Sequence, residues 1–460
     1  MPPRNIMIIA VAAMISLSCL VTASRNRIAN LFAEGLRVVE HESLIVGDRN
    51  RLFDAAMNGM LRSLDPHSAF MSGKAYQEFN EEFQQEFGGV GMYTDIDPDS
   101  GRLTVLAPMK DRPAYRGGLR GGDVIVDIDG RSTEGMTRWD AIELLRGRPQ
   151  TNVSVTFERS ETQRTVILTR EVIPMASVHG DWINEQGDWE FTVEGQPHLG
   201  YIRLSMFANQ SAVEFRQMLL GIAPRVAGLI IDLRNNGGGL LPGAVEISDM
   251  FLPGKLPIVQ IKDRHGRVIQ TYESTDDMAL PFQIPVVVLI NRNSASASEI
   301  VAACLQDHLR ATVIGEQSYG KGTVQNVIPL ERGRSAMKLT VARYARPSNR
   351  TIDRDWAKSQ GESSWGVLPN PGFEIAQTDS LVFEEYRYRL NKEIRGLNAS
   401  QGNGANGNVT IVTEPGPDSD TTDNSVDPAL PQTPIDYVDV PLQKAIEFLN
   451  SITVRTAKKN

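Results

Sequence analysis

Between positions 28 and 83 apolar residues recur at spacings of three and four: Leu31, Leu36, Val38, Val39, Leu52, Phe53, Met57 and Leu61 keep the rhythm. This predicts a helical N-terminal unit over 25–86, broken at Leu64-Asp65-Pro66-His67 because Pro66 disfavours helix in the residue before it. From 87 to about 171 the pattern shortens to strand-like runs, GGVGMYTDI, RLTVLAP, GGDVIVDIDG, NVSVTF and RTVILTR, with one helix, TRWDAIELLRG, starting at a Thr137 cap. After Gly200 strands and helices alternate, and the apolar runs 228–231 and 286–290 have no polar side, which predicts mostly parallel strands buried on both faces. The expected core spans 172–396 and includes a late strand, MKLTVARY. Residues 397–434, rich in Gly, Asn, Asp, Pro and Thr, cannot bury a core and read as a disordered linker. In the final segment, 435–460, PLQKAIEFLNSI offers a short amphipathic helix.

A chain of 460 residues is too long for one core and fits this multidomain α/β reading. A net charge of −9 without a basic stripe argues against a nucleic-acid partner. The start is different in kind: Arg4 precedes an uncharged run at 6–24, the signature of a signal peptide or signal anchor over 1–24. Val21-Thr22-Ala23 has the small residues a signal peptidase accepts, while the run is nearly long enough to span a bilayer. Either outcome exports the remainder to the periplasm or another extracytoplasmic space, free or anchored in the membrane. Cys19, in Ser-Leu-Ser-Cys, is only a weak lipidation signal. With Cys304 as its one companion no disulfide framework exists, and six scattered histidines show no metal-ligand spacing, so neither metal nor cofactor is implied.

The chemistry gathers in three stretches. In NRNSASASEIVAACLQDH, Ser296-x-x-Glu299 is a capping box ahead of an apolar helix, which alone would justify both residues. Ser294 and Ser298 are assigned to turn and solvent roles. In GEQSYGKGTVQ, Lys321 stands between Gly320 and Gly322, an arrangement a plain loop seldom needs. A neutral lysine can take the proton of a serine hydroxyl if burial favours the uncharged amine. In DLRNNGGGLL, at the end of a buried strand, a run of glycines lets backbone amides approach a developing oxyanion, with Gly238 and Ala297 as the candidate donors. The phosphate-loop pattern GxxxxGK and the nucleophile elbow GxSxG are absent here, and His308 reads as a helix-surface residue, so a Ser-His-Asp hydrolase is disfavoured.

Two resemblances sharpen this. Gly88-Gly89-Val90-Gly91, followed by AYRGGLRGGDVIVDIDG and the single helix, resembles a PDZ domain over 87–171. That resemblance implies a loop whose amides face the terminal carboxylate of a peptide, beside an apolar pocket lined by Val90, Ile142 and Leu145. LRSLDPHSAFMS, EFGGVG, DLRNNGGG, SASASEI, GKGTVQ and LTVARYARPSNRTI together resemble the carboxyl-terminal processing peptidases, or tail-specific proteases, across most of 61–375. The resemblance implies a helical N-terminal unit, a PDZ domain and a catalytic core of crotonase-like type, with Ser296 as nucleophile, Lys321 as base and Gln325 helping to hold it. Substrates would be proteins or peptides with free C-termini. Asp307 matches an aspartate of the family, and its role is read as structural, because an ionised carboxylate beside Lys321 would raise the pKa that must fall. Two positions depart from the family pattern: Gly237 stands where a proline is usual, and Gln150 where a glycine is common. Arg146 is kept and could link the PDZ domain to the core. The rival reading is a catalytically silent PDZ scaffold; an acyl-transferring hydrolase ranks third.

Overall fold

The structure, a computed structural model, describes Met14 and residues 27–45, 47–84, 86–97, 100–400 and 437–457. The expected leader therefore lies outside the described residues save for Met14, and the expected linker lies outside them from 401 onward. Residues 397–400 are helical, closing the helix Asp379–Ser400, which the hydrophobic pattern does not announce. Among the described residues no helix is long and apolar enough to cross a membrane. The chain divides into two compact units, Met1–Tyr76 with Gln325–Thr340, and Gln77–Val324 with Val341–Asn460.

The first unit carries the helices Arg27–Glu42 and Arg49–Arg62. The second of these starts at Asp48, whose carboxylate accepts the Arg51 amide at 2.9 Å. After the break at Pro66 comes a strand, Ala69–Ser72, where the three-four rhythm suggested only helix. Four residues are too few to show a period of two, and pairing decides the matter: Ala69 lies opposite Lys338 in an antiparallel ladder with the strand Ser335–Ala345.

In the second unit, strands at 92–96, 103–108, 124–128, 152–159 and 162–169 form an antiparallel sheet around a core of Val90, Leu103, Val105, Ile125, Ile128, Val153, Val155 and Phe157. Its helix is Arg138–Leu145, and the Thr137 cap is reciprocal: Thr137 Oγ1 accepts the Asp140 amide at 3.2 Å while Asp140 Oδ2 accepts the Thr137 amide at 2.9 Å.

The core is a parallel sheet of β1 (Gln196–Leu204), β2 (Gly228–Asp232), β3 (Val286–Ile290) and β4 (Ala311–Gly315), in that order. Alternation explains the unbroken apolar runs. Leu229, Ile231, Val286, Val288 and Ile290 face one apolar cluster, shared with helices Ser211–Ile222, Leu241–Asp249 and α1 (Ala297–Asp307). Ile230, Val287, Leu289 and Ile314 face another, closed by Ala445 and Leu449 of α2 (Val440–Ala457). Each such side chain withdrawn from water contributes about 1.5–3 kcal/mol. The predicted C-terminal helix is therefore the second cover of the sheet, and it is longer than its pattern suggested. The carboxyl ends of β2, β3 and β4 all open into the three stretches that carry chemistry.

Candidate active site

Ser296 caps α1 and is nearly buried, at 7% exposure. Its backbone sits at φ +55, ψ −113, a conformation that costs a residue with a Cβ of order 1–3 kcal/mol and persists only when neighbours impose it. The flanking serines supply much of that constraint, which corrects the solvent role expected for them. Both are fully buried. Ser294 Oγ donates to the Leu233 carbonyl at 2.8 Å and accepts the Asn291 amide at 3.0 Å. Ser298 Oγ donates to the Asn236 carbonyl at 2.9 Å, and the Ala295 amide meets the same oxygen at 3.0 Å. Alternate residues of this turn point the same way, so two hydroxyls can staple it to the glycine loop after β2 while Ser296 occupies the apex.

The glycines answer to close packing. A Cβ on Gly238 would lie 2.8 Å from Ser296 Cβ and 3.0 Å from the Ala297 nitrogen, and one on Gly239 only 2.1 Å from the Phe207 oxygen. Gly238 is thus brought against both Ser296 and Ala297. Its amide, however, donates to Asn236 Oδ1 at 2.9 Å, so this candidate oxyanion donor is already engaged. Ala297 opens α1, where the first amides have no acceptor within the helix. Gly237 has open space around its Cα.

Glu299 was legible only as a cap. Its amide-accepting half of the box is present, with the Ser296 amide 2.8 Å from Oε2, but the same oxygen also receives the Lys321 amide at 2.8 Å. Oε1 takes the Ser318 hydroxyl at 2.5 Å and the Gly320 amide at 2.7 Å. One fully buried carboxylate therefore ties the serine turn to the lysine loop. Burial pushes its carboxyl up to about 7, against the pull of those four donors. The glycines beside the lysine have steric reasons: a Cβ on Gly320 would lie 2.4 Å from Trp365 Cδ1, and one on Gly322 2.3 Å from the Asp353 nitrogen. The side chain of Lys321 is half-buried. Gln325 lies four positions further on, in the strand Thr323–Leu330.

Under the glycine loop lies an ionic cluster the pattern could not show. Arg234, fully buried, pairs with Asp232 at 2.6 Å and with Asp439 at 2.7 Å. Asp439 also accepts from Arg389 at 2.8 Å and from the Leu442 amide at 3.0 Å, at the start of α2. Burial alone would raise the Asp232 carboxyl; the Arg234 guanidinium holds it far below the usual carboxylate range. Removing one partner from such a cluster costs about 3–5 kcal/mol. Its members lie 205 residues apart in sequence, out of reach of any local motif.

Asp307 has the structural place expected of it: Arg346 grips it through two hydrogen bonds, at 2.6 and 2.9 Å. Burial raises its carboxyl, and the bonds and charge of Arg346 together with the bonds from Ser348 more than offset that. His308 ends α1, roughly 16–18 Å along the helix from Ser296, and its Nε2 bonds the Pro257 carbonyl at 2.8 Å. Cys304 is a buried core residue. Among the described residues no group of three or more His, Cys, Asp or Glu is disposed to hold a metal.

In the β-rich domain Gly88 and Gly89 belong to the strand Glu86–Gly89, paired with Glu171–Pro174, which narrows the expected glycine loop to Val90-Gly91. Gly91 has φ +69. Val90 and Leu145 are core residues there, while Ile142 is half-buried on the helix. Arg146 lies over the Phe87 ring, 4.7 Å from its centroid, within this domain.

Peptidase family S41 matches residues 198–362, and a PDZ domain matches 104–159. The carboxy-terminal-processing protease of Bartonella bacilliformis is 33% identical over 374 residues, covering 79% of each chain. The carboxy-terminal processing protease CtpB of Bacillus subtilis is 30% identical over 336 residues, 72% of this chain and 67% of that one. A solved photosystem II D1 C-terminal processing protease, 30% identical, aligns over 74% of this chain and 86% of its own with a TM-score of 0.41. The fold and these matches define the class: a serine peptidase that also carries a PDZ domain. The chain belongs to peptidase family S41, among the carboxy-terminal processing proteases.

Proposed function

We propose that this is an exported endopeptidase that reads the free C-terminus of a protein through its PDZ domain and cleaves through an acyl-Ser296 intermediate. The observation that carries the reading is the Glu299 carboxylate, whose Oε2 receives the amides of both Ser296 and Lys321 at 2.8 Å. A nucleophile and its base need such fixed spacing, and a cap alone does not need the second amide. The leader-like segment at 1–24 supports export, to the periplasm or as a membrane-anchored form.

Neutral Lys321 takes the Ser296 proton as Oγ attacks the scissile carbonyl carbon, and the carbonyl π pair moves onto oxygen. The Ala297 amide, at the positive end of α1, receives that oxyanion. The Gly238 amide joins it once the substrate oxygen has displaced Asn236 Oδ1. The intermediate expels the amine, which leaves with the proton from Lys321. Water then attacks the ester carbon and gives its proton to Lys321; the second intermediate collapses with cleavage of the Oγ–carbon bond, Ser296 Oγ takes that proton back from Lys321, and the product acid leaves and ionises to a new carboxylate. Gln325 is assigned to steadying Lys321.

The test incubates the purified chain, Ser296→Ala and Lys321→Arg with a protein ending in a free carboxylate, and maps new termini by mass spectrometry. Cleavage by the parent alone, at matched thermal stability, is expected. Near-parental turnover by Lys321→Arg would remove lysine as the base, because guanidinium does not deprotonate. Binding of C-terminal peptides without cleavage would favour the silent scaffold.

A further inference from the structure

The stretch LRSLDPHSAFMS has no part in the chemistry described so far. Its turn has a local explanation up to a point. Asp65 Oδ1 accepts the amides of His67 and Ser68 at 2.8 and 2.9 Å, and Oδ2 accepts the Ser68 hydroxyl at 2.6 Å, which closes the chain around Pro66. A turn needs nothing more. Yet Asp65 Oδ1 also accepts the hydroxyl of Thr340 at 3.0 Å, 275 positions away, and the Thr340 amide donates to Ser68 Oγ at 3.1 Å. Thr340 Oγ1 in turn accepts from Gln325 Nε2 at 3.3 Å, across the neighbouring strands Thr323–Leu330 and Ser335–Ala345.

The polarity of this chain follows from proton counting. An ionised carboxylate only accepts. Burial raises the Asp65 carboxyl, but the hydrogen bonds from Ser68, His67 and Thr340 outweigh it and hold the group below its ordinary value, so it is ionised at neutral pH. Ser68 spends its one hydroxyl proton on Oδ2, which leaves its oxygen to accept from the Thr340 amide. Thr340 spends its proton on Oδ1, so toward Gln325 it can present only a lone pair. The glutamine must therefore turn its NH2 to Thr340 and its carbonyl oxygen to the other side of the amide. Only this assignment of the amide nitrogen and oxygen gives the Thr340 lone pair a donor.

We infer that Asp65, acting through Thr340, is a positioning residue that fixes which way the side-chain amide of Gln325 faces. The inference rests on the reading that Gln325 steadies the base. A group that holds a lysine amine must offer it an acceptor, and the Asp65 chain ensures that the carbonyl end of the amide is the one available for that duty. The turn at 64–68 then serves two ends, closing the chain after the helix Arg49–Arg62 and setting the polarity of a glutamine on another strand.

The experiment is a double-mutant cycle in the full chain. kcat and KM are measured on one free-acid peptide for the parent, Thr340→Val, Gln325→Ala and the double variant, with thermal unfolding of each. Thr340→Val keeps the shape and removes the hydroxyl; kcat is expected to fall about three- to tenfold, with KM within about twofold. Thr340→Ser should restore it. In the Gln325→Ala background the Thr340→Val change should lower kcat no further, a non-additivity that loss of sheet stability would not produce. If Thr340→Val unfolds, Asp65→Asn takes its place in the cycle: it keeps an acceptor for the turn amides but no longer compels Thr340 to donate. A slow Gln325→Ala with a full-rate Thr340→Val, or with losses that simply multiply, overturns the inference alone. A Gln325→Ala enzyme at parental kcat overturns the role given to Gln325, and the inference with it.

Discussion

The serine turn of the core and the Val90-Gly91 turn of the PDZ domain are both short, both contain a positive-φ residue, and both are expected to meet the substrate backbone. They are held quite differently. Around Ser296 nearly every constraint is a side chain reaching across from another segment: Ser294 to Leu233, Ser298 to Asn236, Glu299 to Gly320 and Lys321. At the PDZ turn the constraints are backbone ones, with the carbonyls of Gly88, Val90 and Gly91 taken by the amides of Gly147, Ala114 and Met109 at 2.9–3.0 Å. Backbone pairing tolerates almost any side chain and sets position to within a strand's register. Bond making needs atoms placed more finely, since an ångström of misplacement can cost about a hundredfold in rate. Both turns are buried, but only the serine turn is cross-tied by side chains from other segments.

The sharpest way to break that comparison is to cut the tie that joins two segments of the core. In Glu299→Gln an NH2 replaces an oxygen that faces two donors; Ser318 can reverse its hydroxyl, but an amide of the loop cannot. kcat is expected to fall about a hundredfold with the fold retained. The pH dependence gives a second reading. The folded carboxyl titrates near 7 and an ordinary glutamate near 4.5, so the folded state holds more protons between those values. Stability from this group is thus present below 4.5 and declines as pH rises to about 7, by on the order of 3 kcal/mol, while the ionised tie of the proposed mechanism forms as pH passes through about 7. The unfolding temperature of the parent relative to Glu299→Gln should fall from pH 4.5 to 7. A difference that does not vary with pH would mean that Glu299 does not titrate there.

Next in size is the effect at the recognition turn. Amidating the C-terminus of a peptide substrate removes the charge-assisted hydrogen bonds a carboxylate would make, and kcat/KM should fall about tenfold or more. Equal cleavage of acid and amide would take the PDZ turn out of substrate selection without touching Ser296. Smaller still are the staples. Ser294→Ala strands the buried Asn291 amide and should destabilise by about 1–3 kcal/mol, whereas Ser298→Ala leaves the Asn236 carbonyl its bond from Ala295 and should cost about 0.5–1.5 kcal/mol. Chemical denaturation of both variants checks the ranking; the reverse order would show that the turn is not held as described.

Much of this was legible before any coordinates. The apolar runs 228–231 and 286–290 announced a sheet covered on both sides, and Thr137 announced its helix, because burial and capping are local in sequence. Ser296 and Lys321 stood out through their glycines and turns. What stayed hidden was whatever depends on long-range pairing. Ala69–Ser72 is a strand because Lys338 and its neighbours pair with it. Arg234 was visible inside DLRNN, but its partner Asp439 is the residue just before α2, 205 positions further on. Ser294 and Ser298 misled because hydroxyls in a turn usually face water, and only the packing of the glycine loop, at Gly238, against Ser296 and Ala297 shows why these two cannot.

The smallest expected effect belongs to Gly237, and it bears on how the glycine loop works. A proline is usual there in the family, so the glycine could be read as added looseness in the loop. In the structure nothing lies within 4 Å of a Cβ built at this position, and its φ is not in the left-handed region, in contrast to Gly238 and Gly239 at φ +102 and +142. Gly237→Ala therefore meets no clash, and by narrowing the unfolded ensemble it should stabilise the chain by about 0.4–1 kcal/mol. Activity should change less than about twofold if the loop keeps this conformation through the reaction. The contrary outcome is informative in its own right. In the proposed mechanism Gly238 must release Asn236 Oδ1 before its amide receives an oxyanion, and if that release needs the peptide between 237 and 238 to rotate through a backbone region open only to glycine, Gly237→Ala will unfold later than the parent and yet turn over markedly more slowly.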